Sequence, residues 1–282
     1  TTASASVEWV FLMTDSKKNR IHIAISCEYR GVDFHGWQRQ ENAHTVQAEL
    51  EEAWFDLTAE RLVLHGSSRT DAGVSARRHI SSFYTESGIP VTTLPLAWNT
   101  KLSAGVAVRE ARLVPAEFDP RFNALGKEYT YSFYRSKTRP VIERFQSYHV
   151  PRELDLEAMR AAAACFLGEH DFSALMDQGS PTKRTCRGLY SLILEEADPF
   201  LYLHVIGDGF LYHMVRILAG TLLYVGLGKL AVQDIPRLLL AADRREMGPT
   251  LPASGLTLER VFYKEELFGS DRWNYSNWQA TS

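Results

Sequence analysis

The chain has 282 residues, 45% of them hydrophobic, and a formal net charge of -3 at pH 7. This length allows one large domain or two with a sizeable core, and the charge excludes a global basic field. A nucleic-acid partner would therefore need local Lys and Arg clusters. The three cysteines are far apart in sequence, which argues against a disulfide framework or a zinc site and fits a reducing cytoplasm.

Residues 1–20 and 269–282 are expected to be terminal extensions on either side of the core. The apolar patch from Trp9 to Met13 follows an acidic residue and precedes three cations, the wrong order for a secretory signal. No apolar run is long enough to span a membrane. We expect a cytoplasmic protein with an N-terminal half over 21–124 and a C-terminal half over 125–268.

The N-terminal half is predicted to open with a strand, a loop and a helix. Ile21 to Tyr29 alternates apolar and polar residues, which is typical of a half-buried strand. Thr45 is a suitable N-cap for a helix whose apolar residues recur at helical spacing as far as Leu57. After a loop around Asp71, the pattern predicts a strand over 79–84, a helix over 94–102 and a strand over 106–111.

The C-terminal half shows a similar order of elements. The pattern predicts strands over 127–134, 189–195, 200–206 and 256–263, and helices over 155–167, 210–225 and 232–242. Because these strands alternate and are not continuously apolar, they favour antiparallel sheets with helices on one face, an α+β class.

Asp71 is the first candidate functional residue. It lies between Arg69 and Gly73 in the segment 66–74, which has the composition of a loop, and loops often carry chemistry. Gly, Ser and Asp are also ordinary turn residues, so a surface turn is the alternative interpretation.

Arg216 lies within the apolar segment 210–223, which is typical of a buried helix. A buried guanidinium without a partner costs several kcal/mol on an order-of-magnitude view, so it should face a carboxylate. Asp71 is one candidate partner, and the pairing would keep that carboxylate ionised and oriented. The alternatives are a structural pair with Asp208 or a side chain that reaches the helix edge.

Tyr129 and several cations are candidate RNA contacts. The Tyr129 ring is expected either to pack in the core or to stack on a base. Arg69 could reach a phosphate or take the place of an extruded base. Three basic clusters are candidates for contact with the RNA backbone. The alternative is that each cluster simply lies on an exposed surface of the protein. The clusters are Arg77-Arg78, Arg135-Lys137-Arg139 and Lys183-Arg184-Arg187. No His, Cys or acidic residues are spaced like a metal site.

Six segments together resemble the tRNA pseudouridine synthase A (TruA) family, in the family's order over about residues 21–265. A single motif would be weak, but this ordered series is specific. The segments are Tyr29-Arg30-Gly31-Val32-Asp33-Phe34-His35-Gly36-Trp37-Gln38-Arg39-Gln40, Thr45-Val46-Gln47, Arg69-Thr70-Asp71-Ala72-Gly73-Val74, Lys127-Glu128-Tyr129-Thr130-Tyr131, Gly168-Glu169-His170-Asp171-Phe172 and Gly209-Phe210-Leu211-Tyr212-His213-Met214-Val215-Arg216.

The resemblance implies two related α/β halves whose antiparallel sheets join into one extended central sheet, with a catalytic cleft between them. It makes Asp71 the nucleophile, Tyr129 the base-stacking residue and Arg216 the partner of Asp71. It also makes Arg69 the residue that helps extrude the target nucleotide. The implied activity is isomerisation of uridine to pseudouridine at positions 38, 39 and 40 of the tRNA anticodon stem-loop, by a homodimer without cofactor or metal.

The chain departs from the family pattern at three positions. Ser75 and Ser254 stand where the family usually has His, and Leu251 replaces a small residue. We expect these changes to affect tRNA contacts or pocket shape before they affect the nucleophile. They leave open a protein that binds or folds tRNA without chemistry. An unrelated hydrolase with a carboxylate nucleophile is a third possibility, and it predicts no tRNA affinity.

Overall fold

A computed structural model describes residues 20–179, 182–265 and 267–268. Except for Arg20, the two expected terminal extensions lie outside the described residues. Ten strands of the described chain form one sheet. In chain order they are β1 (Ile21–Tyr29), β2 (His65–Gly66), β3 (Ser75–Thr85), β4 (Val106–Leu113), β5 (Gly126–Arg135), β6 (Tyr148–Val150), β7 (Gly168–Asp171), β8 (Cys186–Ala197), β9 (Phe200–Gly207) and β10 (Leu256–Phe262).

Five α-helices pack beside this sheet in the described part of the chain. They are α1 (Val46–Thr58), α2 (Leu94–Asn99), α3 (Leu156–Ala164), α4 (Met214–Gly226) and α5 (Ile235–Ala241). Thr45 caps α1 as predicted, because its hydroxyl accepts the Ala48 N–H. Asp155 caps α3 in the same way, through Ala158.

The strand order across the sheet is β4-β1-β3-β10-β5-β9-β8-β7, with β2 beside β3 and β6 beside β5. The expected α+β fold with one extended sheet is therefore confirmed. Most pairs are antiparallel, but the sheet is mixed, because β10 pairs parallel with β3 and β6 pairs parallel with β5. The strand β10 thus joins the N-terminal strands to β5 and brings the two ends of the chain's core together.

Aromatic side chains pack the helices of the N-terminal half onto the sheet. Trp54 of α1, Phe83 of β3 and Trp98 of α2 are fully buried, and their ring centroids lie 4.7 to 5.3 Å apart. Such tilted and edge-on pairs add to the free energy gained from burying the rings. This packing anchors β3, the strand that follows the Asp71 loop.

The helix predictions differ from the structure at several ends. The helix expected from Phe210 begins only at Met214, because His213 has φ of +62° and the segment before it forms a turn. The helix expected over 232–242 is a 3₁₀ turn over Val232–Asp234 followed by α5. The helix expected to reach Leu167 ends at Ala164.

Candidate active site

A cleft of about 1010 Å³ opens between the segment after β2, the strand β5 and the start of α4. Its walls come from both halves of the sheet. The lining side chains that matter below are Arg69, Asp71, Arg121, Lys127, Tyr129, Arg187, Phe210, His213 and Arg216. The structure therefore brings four of the predicted site residues, Arg69, Asp71, Tyr129 and Arg216, to one cavity.

The Asp71 loop is held from behind by main-chain contacts with the segment after β1. Trp37 N–H donates to the Thr70 carbonyl at 3.1 Å, and Gly36 has φ of +89°. A Cβ added to Gly36 would lie 2.8 Å from the Thr70 oxygen, so only glycine allows this close approach. The Tyr29 hydroxyl and the Thr70 hydroxyl hydrogen bond at 2.7 Å, which fixes the residue next to Asp71.

Arg216 pairs with Asp71, as one of the three sequence hypotheses expects. Its Nη1 donates to Asp71 Oδ2 at 3.3 Å, across 145 positions of sequence. The Arg216 side chain is 14% exposed and that of Asp71 is 26% exposed. The alternative partner, Asp208, instead accepts the Gly188 N–H at 3.1 Å.

The segment after α5 fixes the other end of the Arg216 guanidinium. Arg216 Nε donates to the Leu251 carbonyl at 2.7 Å. This segment lies close against α4, since a Cβ added to Gly220 would be 1.9 Å from the Pro249 oxygen. The guanidinium therefore bridges a fixed carbonyl and the Asp71 carboxylate, which sets its orientation.

Tyr129 is both buried and part of the cleft wall, so the two interpretations of its role do not exclude each other. It is 8% exposed and meets the Phe210 ring edge-on, with centroids 5.2 Å apart. Burial raises the pKa of Tyr129 to about 12, and the charge of Asp71 acts in the same direction. Its hydroxyl is therefore protonated at neutral pH.

His213 is a site residue that the sequence analysis missed. It holds the left-handed backbone conformation just before α4, and its Nε2 lies 3.4 Å from Asp71 Oδ2. Its Nδ1 hydrogen bonds to Asp177 Oδ2 at 2.8 Å. The sequence signals were a single His within the apolar segment 210–223 and its place in a segment that resembles the family, and neither predicts a contact with Asp71.

Cations surround the cleft, although not all those predicted. Arg69 and Arg187 line it together with Lys127, whose Nζ donates to the Ser67 carbonyl at 2.8 Å. Arg77 and Arg78 do not line the cleft. Arg77 instead pairs with Glu259 at 3.1 Å beside a second cavity of about 210 Å³.

The three positions that depart from the family pattern do not line the cleft. Ser75 Oγ accepts the Gly31 N–H at 3.0 Å and so supports the segment behind the Asp71 loop. Leu251 is 2% exposed and contributes only its carbonyl to Arg216. Ser254 lies in the 3₁₀ turn over Ala253–Gly255 that precedes β10.

The described residues contain neither a metal centre nor a membrane-spanning helix. No group of three or more His, Cys, Asp or Glu side chains among them is placed to hold a metal ion. None of the helices described is both long enough and apolar enough to cross a membrane.

Comparison with protein families supplies the class of this protein. A family model described as "tRNA pseudouridine synthase" matches residues 25–123 and 162–264, which contain Asp71 and Arg216. The chain belongs to this family. Its members are isomerases that convert uridine to pseudouridine, so the expected enzyme class is confirmed.

The similar proteins found by sequence comparison share the name of one type of tRNA pseudouridine synthase. A protein named "tRNA pseudouridine synthase A" from Geobacter sp. (strain M21) is 45% identical over 245 residues, which are 86% of this chain and 99% of the relative. One of the same name from Acetivibrio thermocellus is 42% identical over 242 residues, with the same coverage. A solved structure described as "Crystal Structure of a Cbf5-Nop10-Gar1 Complex" is 14% identical in sequence, with a TM-score of 0.36. The match covers 86% of this chain and 50% of the other chain.

Proposed function

We propose that this chain isomerises uridine to pseudouridine in tRNA, at positions 38, 39 and 40 of the anticodon stem-loop, with Asp71 as the nucleophile. The observation that carries the proposal is the 3.3 Å contact between the Asp71 carboxylate and Arg216 within the large cleft. A partly buried carboxylate that accepts from a guanidinium is oriented for attack.

The reaction rearranges one nucleotide and needs no second substrate. The N-glycosidic bond breaks, the free uracil rotates, the ribose forms a bond to C5 of the ring, and the proton lost from C5 is matched by one gained at N1. Asp71 supplies the attacking carboxylate, either at the ribose or at the pyrimidine ring, and the bond that it forms breaks again as the product is completed. The cleft walls must hold the detached base and exclude water until it rejoins.

Tyr129 and Arg69 complete this proposal. The Tyr129 ring, fixed edge-on by Phe210, offers a flat surface on which the uracil stacks. Arg69 is exposed at the cleft, two residues before Asp71, where it would occupy the space left by the extruded nucleotide. Arg77 and Arg78 would contact the tRNA backbone outside the cleft.

The tRNA would be held by local cations, because the whole chain is acidic. Arg121, Lys127 and Arg187 lie on the cleft wall and supply such a cluster. We further propose that the active form is a homodimer in the cytoplasm, in which two chains combine their basic surfaces around one substrate.

The test compares the unaltered chain with Asp71→Asn and with Asp56→Asn. Asp56 is an exposed acid on α1, so Asp56→Asn is a control for the loss of one carboxylate. Each protein is incubated with unmodified tRNA that has uridines in the anticodon arm, and pseudouridine is then mapped by position. We expect product at positions 38 to 40 with the unaltered chain and the control, and a rate at least about 10⁴-fold lower with Asp71→Asn.

Three outcomes would overturn parts of the proposal. No product from the unaltered chain, with salt-dependent tRNA binding retained, would indicate a binding or folding protein. Product at other positions would refute the anticodon assignment, and full activity of Asp71→Asn would refute the nucleophile.

A further inference from the structure

Behind the start of α4 lies a group of polar side chains that the proposed reaction does not use. Asp177, Thr250 and Arg244 connect there to His213, and His213 alone among these four lines the cleft. These residues come from three separate parts of the chain, because Arg244 and Thr250 both lie in the segment after α5. The group therefore exists only in the folded protein. Its last member, His213, contacts Asp71, the candidate nucleophile.

Asp177 is held by donors on three sides. It accepts hydrogen bonds from His213 Nδ1 at 2.8 Å, from Arg244 Nε at 2.8 Å and from the Thr250 hydroxyl at 2.7 Å. Burial opposes charge on this carboxyl, but the three hydrogen bonds and the Arg244 charge outweigh it and lower the pKa of Asp177. Asp177 is therefore a carboxylate at neutral pH.

This carboxylate fixes one edge of the His213 ring. A carboxylate can only accept, so His213 Nδ1 must donate to it. The imidazole ring is also stacked on Tyr212, with centroids 3.7 Å apart. Ring rotation is thus restricted by two contacts, and Nε2 points at Asp71 Oδ2, 3.4 Å away.

The backbone of His213 supports the same conclusion. A left-handed conformation is unfavourable for a residue with a side chain and persists only where surrounding contacts enforce it. His213 has φ of +62° and two carboxylate contacts. The strain is located at the residue that connects Asp177 to Asp71.

We propose that His213 is a positioning residue that orients the Asp71 carboxylate, and that Asp177 acts only through His213. This inference rests on the proposed function. Both Arg216 and His213 contact the same oxygen of Asp71, Oδ2, at 3.3 and 3.4 Å. A carboxylate oxygen only accepts, so Nε2 holds Oδ2 as an N–H donor, as Nδ1 does toward Asp177. With Oδ2 held from two sides, Oδ1 becomes the oxygen that is presented to the nucleotide.

The test uses His213→Asn, Asp177→Asn and the double variant. Asn tolerates the left-handed conformation, so His213→Asn removes the ring without adding backbone strain. Asp177→Asn keeps the shape but removes the negative charge that faces His213 Nδ1, so the ring is no longer held as a donor to Asp71. The controls are His204→Asn and Glu195→Gln, which break a similar imidazole–carboxylate pair, 2.9 Å long, outside the cleft.

We expect each single variant to lower kcat for tRNA pseudouridylation about 10- to 100-fold, because a misplaced nucleophile loses that much. KM should stay nearly unchanged, since neither residue is a proposed tRNA contact. The double variant should be no slower than the slower single variant, because the two residues act in one chain of contacts. The control variants should keep the kcat of the unaltered chain.

Unchanged kcat in the folded single variants would overturn the inference, and so would losses that multiply in the double variant. If His213→Asn fails to fold, Asp177→Asn decides: a fall in kcat at constant KM supports the inference, and an unchanged kcat refutes it. No product from the unaltered chain would instead overturn the proposed function, and this inference with it.

Discussion

The loop that carries Asp71 and the start of α4, which carries Arg216, face each other across the cleft but are held in different ways. The loop depends on main-chain contacts, such as Trp37 N–H to the Thr70 carbonyl, and on the space left by Gly36. The start of α4 depends on side chains, since His213 and Arg216 are each fixed by hydrogen bonds to distant residues.

This difference separates two kinds of substitution. Where main-chain contacts hold a segment, adding a Cβ should disturb both stability and the site. Where side-chain hydrogen bonds hold it, a polar-to-apolar change should disturb the site more than the fold.

Arg216→Met should remove most of the activity. The change removes the cation beside Asp71 together with the bond to the Leu251 carbonyl. We expect kcat/KM for pseudouridine formation to fall about 10²- to 10³-fold, the usual loss when a donor to a reacting charge is removed. Arg160→Met, which removes a surface arginine paired with Glu157 and Glu196, is the control.

Arg216→Lys refines this prediction. Lysine keeps the charge but, as a compact ammonium, lacks the planar fork that bridges the Leu251 carbonyl and Asp71. Its activity should fall between those of Arg216→Met and the unaltered chain. Equal activity of Arg216→Lys and the unaltered chain would show that charge alone matters and that the bridge does not.

Gly36→Ala should destabilise the N-terminal side of the site. Its φ of +89° and the 2.8 Å approach of an added Cβ to the Thr70 oxygen both oppose alanine. We expect the free energy of unfolding to fall by about 1 to 3 kcal/mol, measured by denaturant unfolding. Gly88→Ala is the matched control, because an added Cβ there meets nothing within 4 Å. Equal stability of the two variants would contradict the main-chain account of the loop.

Lys127 should have an effect on stability that depends on pH. Burial, reinforced by the charges of Arg121 and Arg187, lowers its pKa from 10.5 to about 8. Between about pH 8 and 10.5 the unfolded chain binds this proton and the folded chain does not. The contribution of Lys127 to the free energy of unfolding therefore rises with pH across this window.

Denaturant unfolding of Lys127→Met and the unaltered chain at several pH values checks this. The difference in stability should shift in favour of the unaltered chain as the pH rises above 8, because only that chain loses the unfavourable buried charge. Lys101→Met, at an exposed lysine, should show a constant difference. A constant difference for Lys127→Met as well would contradict the expected pKa.

The sequence predicted those parts of the site that depend on neighbouring residues. The strand β1 was predicted from alternation, and Thr45 from its position before an apolar repeat, because burial and capping act over a few residues. The start of α4 was placed four residues too early, since nothing near His213 in sequence shows that Asp177 holds its ring. The parallel pairing of β10 with β3 was also not predicted, because register depends on distant strands.

The sequence by itself determined the α+β class, the family resemblance and the candidate residues Asp71, Tyr129 and Arg216, because these depend on local pattern and residue order. The fold places Arg216 beside Asp71 and not beside Asp208, and it brings His213 into contact with Asp71. Arg216 and Asp71 are 145 positions apart, so their contact depends on how β10 joins the two halves of the sheet. Local sequence does not encode that pairing.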